Sequence, residues 1–236
     1  MPAALRRAAS ALVCLAVTLP ATACGPPLGD KTRPELLARA IEATESAESV
    51  TLHIDVLSLM VPMKGSVSLD GRGNCVAEMS YGAAGVAELI TIENGEVYLR
   101  RDEARLRAQE RHRITRDLLD DLAGRWTRPP ADGPDAPAEL ALCDVRRTPL
   151  GLENGWEGDS AKSEVTTVGG RQAHKLAKPV DGDGGTTTVY IAAEGPPYFL
   201  KIVTTGGDEA GTTTFSHYGR PVGAKAPPAG TLAVTD

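Results

Sequence analysis

Two hydrophobic rhythms divide the chain. Over residues 32–48, Leu37, Ala40, Ile41 and Thr44 recur at helical spacing, and Pro34 suits the first turn of a helix. At Ser49 the period switches to two. Val50, Leu52, Ile54 and Val56 alternate with Thr51, His53 and Asp55, which predicts a strand buried on one face. Gly65, Val67 and Leu69 alternate likewise and end at an Asp70-Gly71 turn. Cys75, Ala77, Met79 and Tyr81 mark a third strand, and residues 86–92 a fourth. Asn94-Gly95 is a two-residue hairpin signal leading into a fifth strand over 96–100. Five such strands joined by tight turns make an antiparallel meander.

Residues 102–160 interrupt this rhythm. A charged helix is predicted over 102–112. A second follows over 115–123, with Leu118, Leu119 and Leu122 apolar and Gly124 just past its end. A Pro-rich loop spans 128–137, and a short helical candidate covers 138–146. Period-two strands then return at 163–168, 171–177, 186–192, 198–204 and 212–218, the first two joined by Gly169-Gly170. From Gly219 the chain is rich in Gly and Pro, and 221–236 is read as a flexible tail.

The expected fold is therefore α+β: a curved antiparallel sheet, an open half-barrel of about ten strands, with helices covering its concave face. Leu52, Ile54, Val56, Val67, Leu69, Met79, Leu89, Val97 and Leu99 are the candidates to line that face. Such a lining either packs dry against the helices or accepts a ligand. The pattern alone leaves both open.

The first 24 residues change the picture. Arg6 and Arg7 precede a twelve-residue uncharged run, residues 8–19, which Pro20 breaks before Ala21, Thr22 and Ala23. This is the layout of a secretory signal. The run is shorter than the about 20 residues that span a bilayer. Small residues directly before a Cys resemble a bacterial lipobox, although Ala21 stands where Leu is usual. The resemblance implies a diacylglyceryl group on Cys24 and cleavage between Ala23 and Cys24, which would anchor the chain stably in the outer face of the cell membrane. The expected division is a signal peptide over 1–23, a lipidated tether over 24–33, a half-barrel domain over 34–220 and the tail. Residues 25–33 would reach at most about 30 Å.

Of the four cysteines, Cys14 leaves with the signal and Cys24 is modified. Cys75 and Cys143 remain as a pair in an oxidising compartment, where a disulfide is the expected state and two buried thiols the alternative. Neither has a His or Cys at metal-ligand spacing.

Charge narrows the function classes. The whole chain carries −6, and the mature chain, without Arg6 and Arg7, carries −8. An acidic balance disfavours a general nucleic-acid binder, which needs cations to neutralise phosphates. Aromatics make up 4% of the residues, too few for an aromatic platform that stacks sugars or bases. One basic concentration exists, Arg100, Arg101, Arg105, Arg107, Arg111, Arg113 and Arg116. It suits anionic headgroups, or a solvated helix with Glu103–Arg107 pairing one turn apart. No nucleophile elbow, phosphate-binding loop or zinc-protease helix is present, so neither a catalytic residue nor a cofactor is implied. His53, His112, His174 and His217 lie scattered. The stretch from Asp181 to Gly185 resembles a calcium loop only faintly, because Ala192 stands at its twelfth position.

The run SVTLHIDV after the leading helix resembles the opening of LppX/LprG-type actinobacterial lipoproteins. So do NGEVYLR, Trp126 within GRW, GGRQAHKL ahead of TTTVYIAAEGPPYFLKIV, and the closing TTTFSHYGRPVGAKAPP. The resemblance covers most of residues 33–228 and weakens over 102–160. It implies a LolA/LolB-like half-barrel that holds a hydrophobic ligand, a lipid or glycolipid, between sheet and helices, without catalysis. The alternative is the same fold with a filled core, acting as an envelope interaction or sensor module.

Overall fold

A computed structural model describes residues 31–58, 61–109, 115–144, 152, 156, 159–179, 184–207 and 210–233. The signal, Cys24 and most of the tether lie outside this set, as do His112, Arg111, Arg113 and Asp181–183. Helix α1 (Arg33–Glu45) opens with a capping box. The Thr32 N–H donates to the Glu35 carboxylate at 2.8 Å, so two unpaired groups of the first turn are satisfied together. That hydrogen bond, with help from Lys31 and Arg39, lowers the Glu35 pKa.

Strands β1 (Ser49–Ser58), β2 (Val61–Asp70), β3 (Cys75–Ser80), β4 (Val86–Thr91) and β5 (Val97–Arg101) form the expected meander. Next come α2 (Glu103–Gln109), α3 (Arg116–Leu122), a two-residue strand β6 (Trp126–Thr127) and a 3-10 turn (Ala138–Cys143). Strands β7 (Glu164–Val168), β8 (Arg171–Pro179), β9 (Thr186–Ala192), β10 (Phe199–Thr205) and β11 (Gly211–Ser216) follow. The sheet has eleven strands, because β6 is too short to show a two-residue period in the sequence.

All eleven lie in one open sheet, in the order β6-β5-β4-β3-β2-β1-β11-β10-β9-β8-β7. The first and last strands pair at the centre, with Leu52 opposite Phe215. The sheet is thus two sequential meanders joined by one long-range ladder. Its two edges are β6 and β7, and residues 128–163 carry the chain from one edge to the other.

The inner face carries the main core. Leu52, Val67, Met79, Leu89 and Leu99 from the first meander meet Leu176, Val189, Ile191, Phe199 and Phe215 from the second. Helix α1 packs against β9 and β10 through Leu36, Leu37, Ala40 and Thr44. The 3-10 turn packs on β2, β3 and β4, and α2 sits against β4 and β5. Cover is therefore divided among three short elements. Two glycines beside β1 permit close strand approach on the way. A Cβ on Gly65 would overlap the Glu78 carbonyl oxygen and lie 2.9 Å from Met79 Cα, and one on Gly211 would overlap Val56.

Local departures from the sequence expectation have local causes. The Asn94-Gly95 hairpin closes with a three-residue loop, since Ile92 pairs with Glu96 and Gly95 alone takes a positive φ, 84°. The candidate helix at 138–146 is a six-residue 3-10 turn following Pro137, short like most such turns. The segment after Gly219, read as a loose tail, has ties at both ends. Gly219 donates to Ser49 O, Ser49 Oγ donates to Arg220 O at 2.5 Å, Leu232 bridges to Trp126, and Ala233 donates to Trp126 O at 2.7 Å.

Candidate functional site

Eight of the nine lining candidates come together in the core of the inner face. Leu52, Val67, Leu69, Met79, Leu89, Val97 and Leu99 are buried there, and half-buried Ile54 packs against them. Val56 is half-buried nearer the end of β1. Over this floor lie α1, the 3-10 turn with Leu140 and Leu142, half-buried Leu152, and Trp156. Trp156 is 3% exposed and donates from Nε1 to Leu152 O at 2.7 Å. Sequence reading missed Trp156, because it sits in a stretch with no hydrophobic period.

A disulfide joins Cys75 of β3 to Cys143 at the end of the 3-10 turn. It fixes that turn across the floor of the first meander. Beside it, Glu139 is only 2% exposed. Its carboxylate accepts from Arg101 at 3.2 Å and from Gln109 at 2.8 Å, and pairs with Arg105 at 3.3 Å. Burial alone would raise the Glu139 pKa, but the Arg101 hydrogen bond and charge outweigh it and hold the carboxyl below its ordinary value. The Arg105 guanidinium also lies over the Tyr81 ring at 3.6 Å from its centroid. Burial pushes the Tyr81 phenol up, so it stays neutral.

These contacts dissolve most of the arginine concentration. Arg100 is clamped by Glu88 on the outer face, Arg101 and Arg105 share Glu139, and Arg107 pairs with Glu103 at 2.7 Å. Helix α2 is anchored by Asp102, whose carboxylate accepts from Arg105 N at 2.7 Å and Val86 N at 3.0 Å.

A cavity of about 260 Å3 remains on the inner face at the β5–β6 edge, beneath α2 and α3. Its walls are Leu99, Leu106, Leu122 and Pro129, and Arg101, Arg125 and Arg128 stand around it. Of the nine candidates only Leu99 reaches it. Arg125, Leu106 and Leu122 gave no joint signal in sequence, because they come from three separate elements. A second, larger hollow of about 500 Å3 crosses the outer face of β11, β1, β2 and β3. Its lining mixes hydroxyls and charges, including His53, Asp55, Lys64, Ser66 and Glu78, with apolar surface from Ile54 and Val86.

The described histidines stay apart. His53 is exposed on β1, and His217 follows β11 with a φ of 54°. His174 is buried on β8, with its Nδ1 2.8 Å from Ser163 Oγ, and burial lowers its pKa.

An open antiparallel sheet whose one face is roofed by short helices defines the half-barrel class. Solved structures of two mycobacterial lipoproteins are among those that share it. Lipoprotein LppX of Mycobacterium tuberculosis matches over 82% of this chain and 100% of its own, at 13% identity and a TM-score of 0.50. LprF from Mycobacterium bovis matches over 82% of this chain and 96% of its own, at 16% identity and a TM-score of 0.53. At those identities the likeness establishes a common fold, the one that the sequence resemblance implied. No family model matches the sequence, and no curated protein does.

Proposed function

We propose that this chain is a membrane-anchored extracytoplasmic lipoprotein that binds or transfers a hydrophobic ligand, a lipid or glycolipid, between its sheet and its helices. The observation that carries the reading is a single inner face, predominantly apolar and roofed by short separate elements rather than by one continuous layer. The 3-10 turn is tied to β3 by the disulfide, whereas α1 has no such tie among the described residues, and the space beneath it is apolar. The anchor is Cys24, after removal of residues 1–23, and the tether over 24–33 keeps the domain over 34–220 near the membrane. The fold shared with lipoprotein LppX supports the same location.

Native mass spectrometry of the detergent-free protein tests carriage. Co-purified lipid, or uptake of a fluorescent lipid, is the expected outcome, and neither appearing would end the carrier reading. Anchoring has its own test: Cys24→Ala is expected to abolish labelling by a clickable fatty acid.

A second reading, an envelope interaction or sensor module with a filled core, draws on one specific observation. Seven of the nine lining candidates are already buried under protein side chains. Crosslinking in cells separates the two, since a module that acts through its surface would capture a protein partner while carrying no lipid.

A further inference from the structure

The edge cavity under α2 and α3 differs from the rest of the inner face in one respect. Elsewhere the core of the face is apolar, whereas here an apolar pocket is bordered by the guanidinium groups of Arg101, Arg125 and Arg128. Leu99, Leu106, Leu122 and Pro129 form the apolar part, and among the described residues no carboxylate lines it. The exposed aspartates of α3, Asp117, Asp120 and Asp121, are not among its lining residues.

The local charge balance is positive. Arg101 and Arg105 share the single carboxylate of Glu139. Arg128 is paired with Glu96. Arg125 has no side-chain partner among the described residues. Three guanidiniums thus line the cavity, and among the described residues Arg125 is the one of them with no ion-pair partner. A guanidinium presents a planar fork that matches a carboxylate or a phosphate. About 260 Å3 falls below the about 300–1,000 Å3 that encloses a whole drug-sized ligand, so the pocket takes one end of a molecule.

We propose that this pocket binds the anionic end of a single-chain amphiphile, with Arg125 as the headgroup ligand and Arg128 beside it. The alkyl segment next to the headgroup lies against Leu99, Leu106 and Leu122. The inference rests on the carrier reading above and adds the ligand's charge and chain number. A carboxylate or a phosphate ester supplies the required chemistry.

Isothermal titration of the purified protein with laurate, dodecyl phosphate and uncharged monolaurin, each below its aggregation concentration, tests it. Laurate, dodecyl phosphate or both are expected to bind at least tenfold more tightly than monolaurin, and whichever binds identifies the headgroup. Arg125→Gln is expected to weaken that anionic probe by roughly tenfold and to leave monolaurin unchanged. Leu122→Trp is expected to abolish binding of all three, with circular dichroism confirming that both variants fold. Neither anionic probe binding more tightly than monolaurin would overturn the inference, and so would an Arg125→Gln variant that binds the preferred anionic probe normally. Either result leaves the carrier reading standing if lipid still co-purifies. No binding of any probe to a protein that co-purifies with lipid would overturn the edge site alone. No probe binding and no lipid would overturn both.

Discussion

Glu139 is the side chain on which the roof of the first meander most depends. It is nearly inaccessible, yet it is ionised, because Arg101 and Arg105 approach from β5 and α2 while Gln109 donates from the end of α2. Neutralising it would leave two half-buried guanidiniums facing an amide. Glu139→Gln should therefore cost on the order of 3 kcal/mol in urea unfolding. The pH dependence has a defined sign. The folded carboxyl titrates below its unfolded value, so its stabilisation is complete above about pH 4.5 and is lost as pH falls through the folded pKa. His174 acts in the same direction in a separate window. Its folded pKa is also lowered, so stability falls as pH drops below about 6.5. Unfolding measured from pH 8 to 3 should show both declines, and Glu139→Gln should reduce the lower one, to which Glu35 of the capping box also contributes.

At the scale of elements, the 3-10 turn is too short to hold itself in place. It is kept there by Cys143 and by the Glu139 cluster. The Cys75–Cys143 bridge closes a loop 68 residues apart in sequence, which in the chain-entropy model is worth about 4 kcal/mol. Reduction, or Cys143→Ala, should lower the urea midpoint by a matching amount without changing the strand signal in circular dichroism. An unchanged midpoint would mean that the turn is held by packing alone. The elements themselves were mostly legible. Strands with a clean two-residue alternation, such as β1, β3 and β9, were located within a residue or two. The starts of β2 and the loop of the β4–β5 hairpin were not. Val61 and Pro62 are exposed and carry no alternation, and hairpin loop length depends on which residues pair, not on Asn94-Gly95 alone.

At the scale of the whole molecule, the sheet depends on the pairing of β1 with β11, whose partners Leu52 and Phe215 are far apart in sequence. The closing segment starts at this seam and ends on the far edge, where Leu232 bridges to Trp126. Trp126 lies outside the inner core but is only 8% exposed, with Arg100 5.0 Å from its ring centroid. Deleting residues 221–236 should therefore expose it, shifting tryptophan emission to longer wavelength and lowering stability. Trp156, buried in the inner core, should contribute unchanged and provides the internal reference. An unchanged spectrum would mean that the segment adds nothing to the edge.

The sequence by itself determined the strand rhythm, the single apolar face of each strand, the interrupted middle and the order of the hairpins. These depend on neighbours within about ten residues, where periodicity and turn chemistry operate. Its first 24 residues also carry the expectation of a lipid anchor at Cys24. Only the tertiary structure decided that the first and last strands meet at the centre, that the insertion spans edge to edge, and that Cys75 and Cys143 are bonded. It alone gathered Leu99, Leu106, Leu122 and Arg125 around one cavity. Contacts of that kind join residues with no shared period, and an apolar face reads the same in sequence whether it ends against a helix or against a ligand.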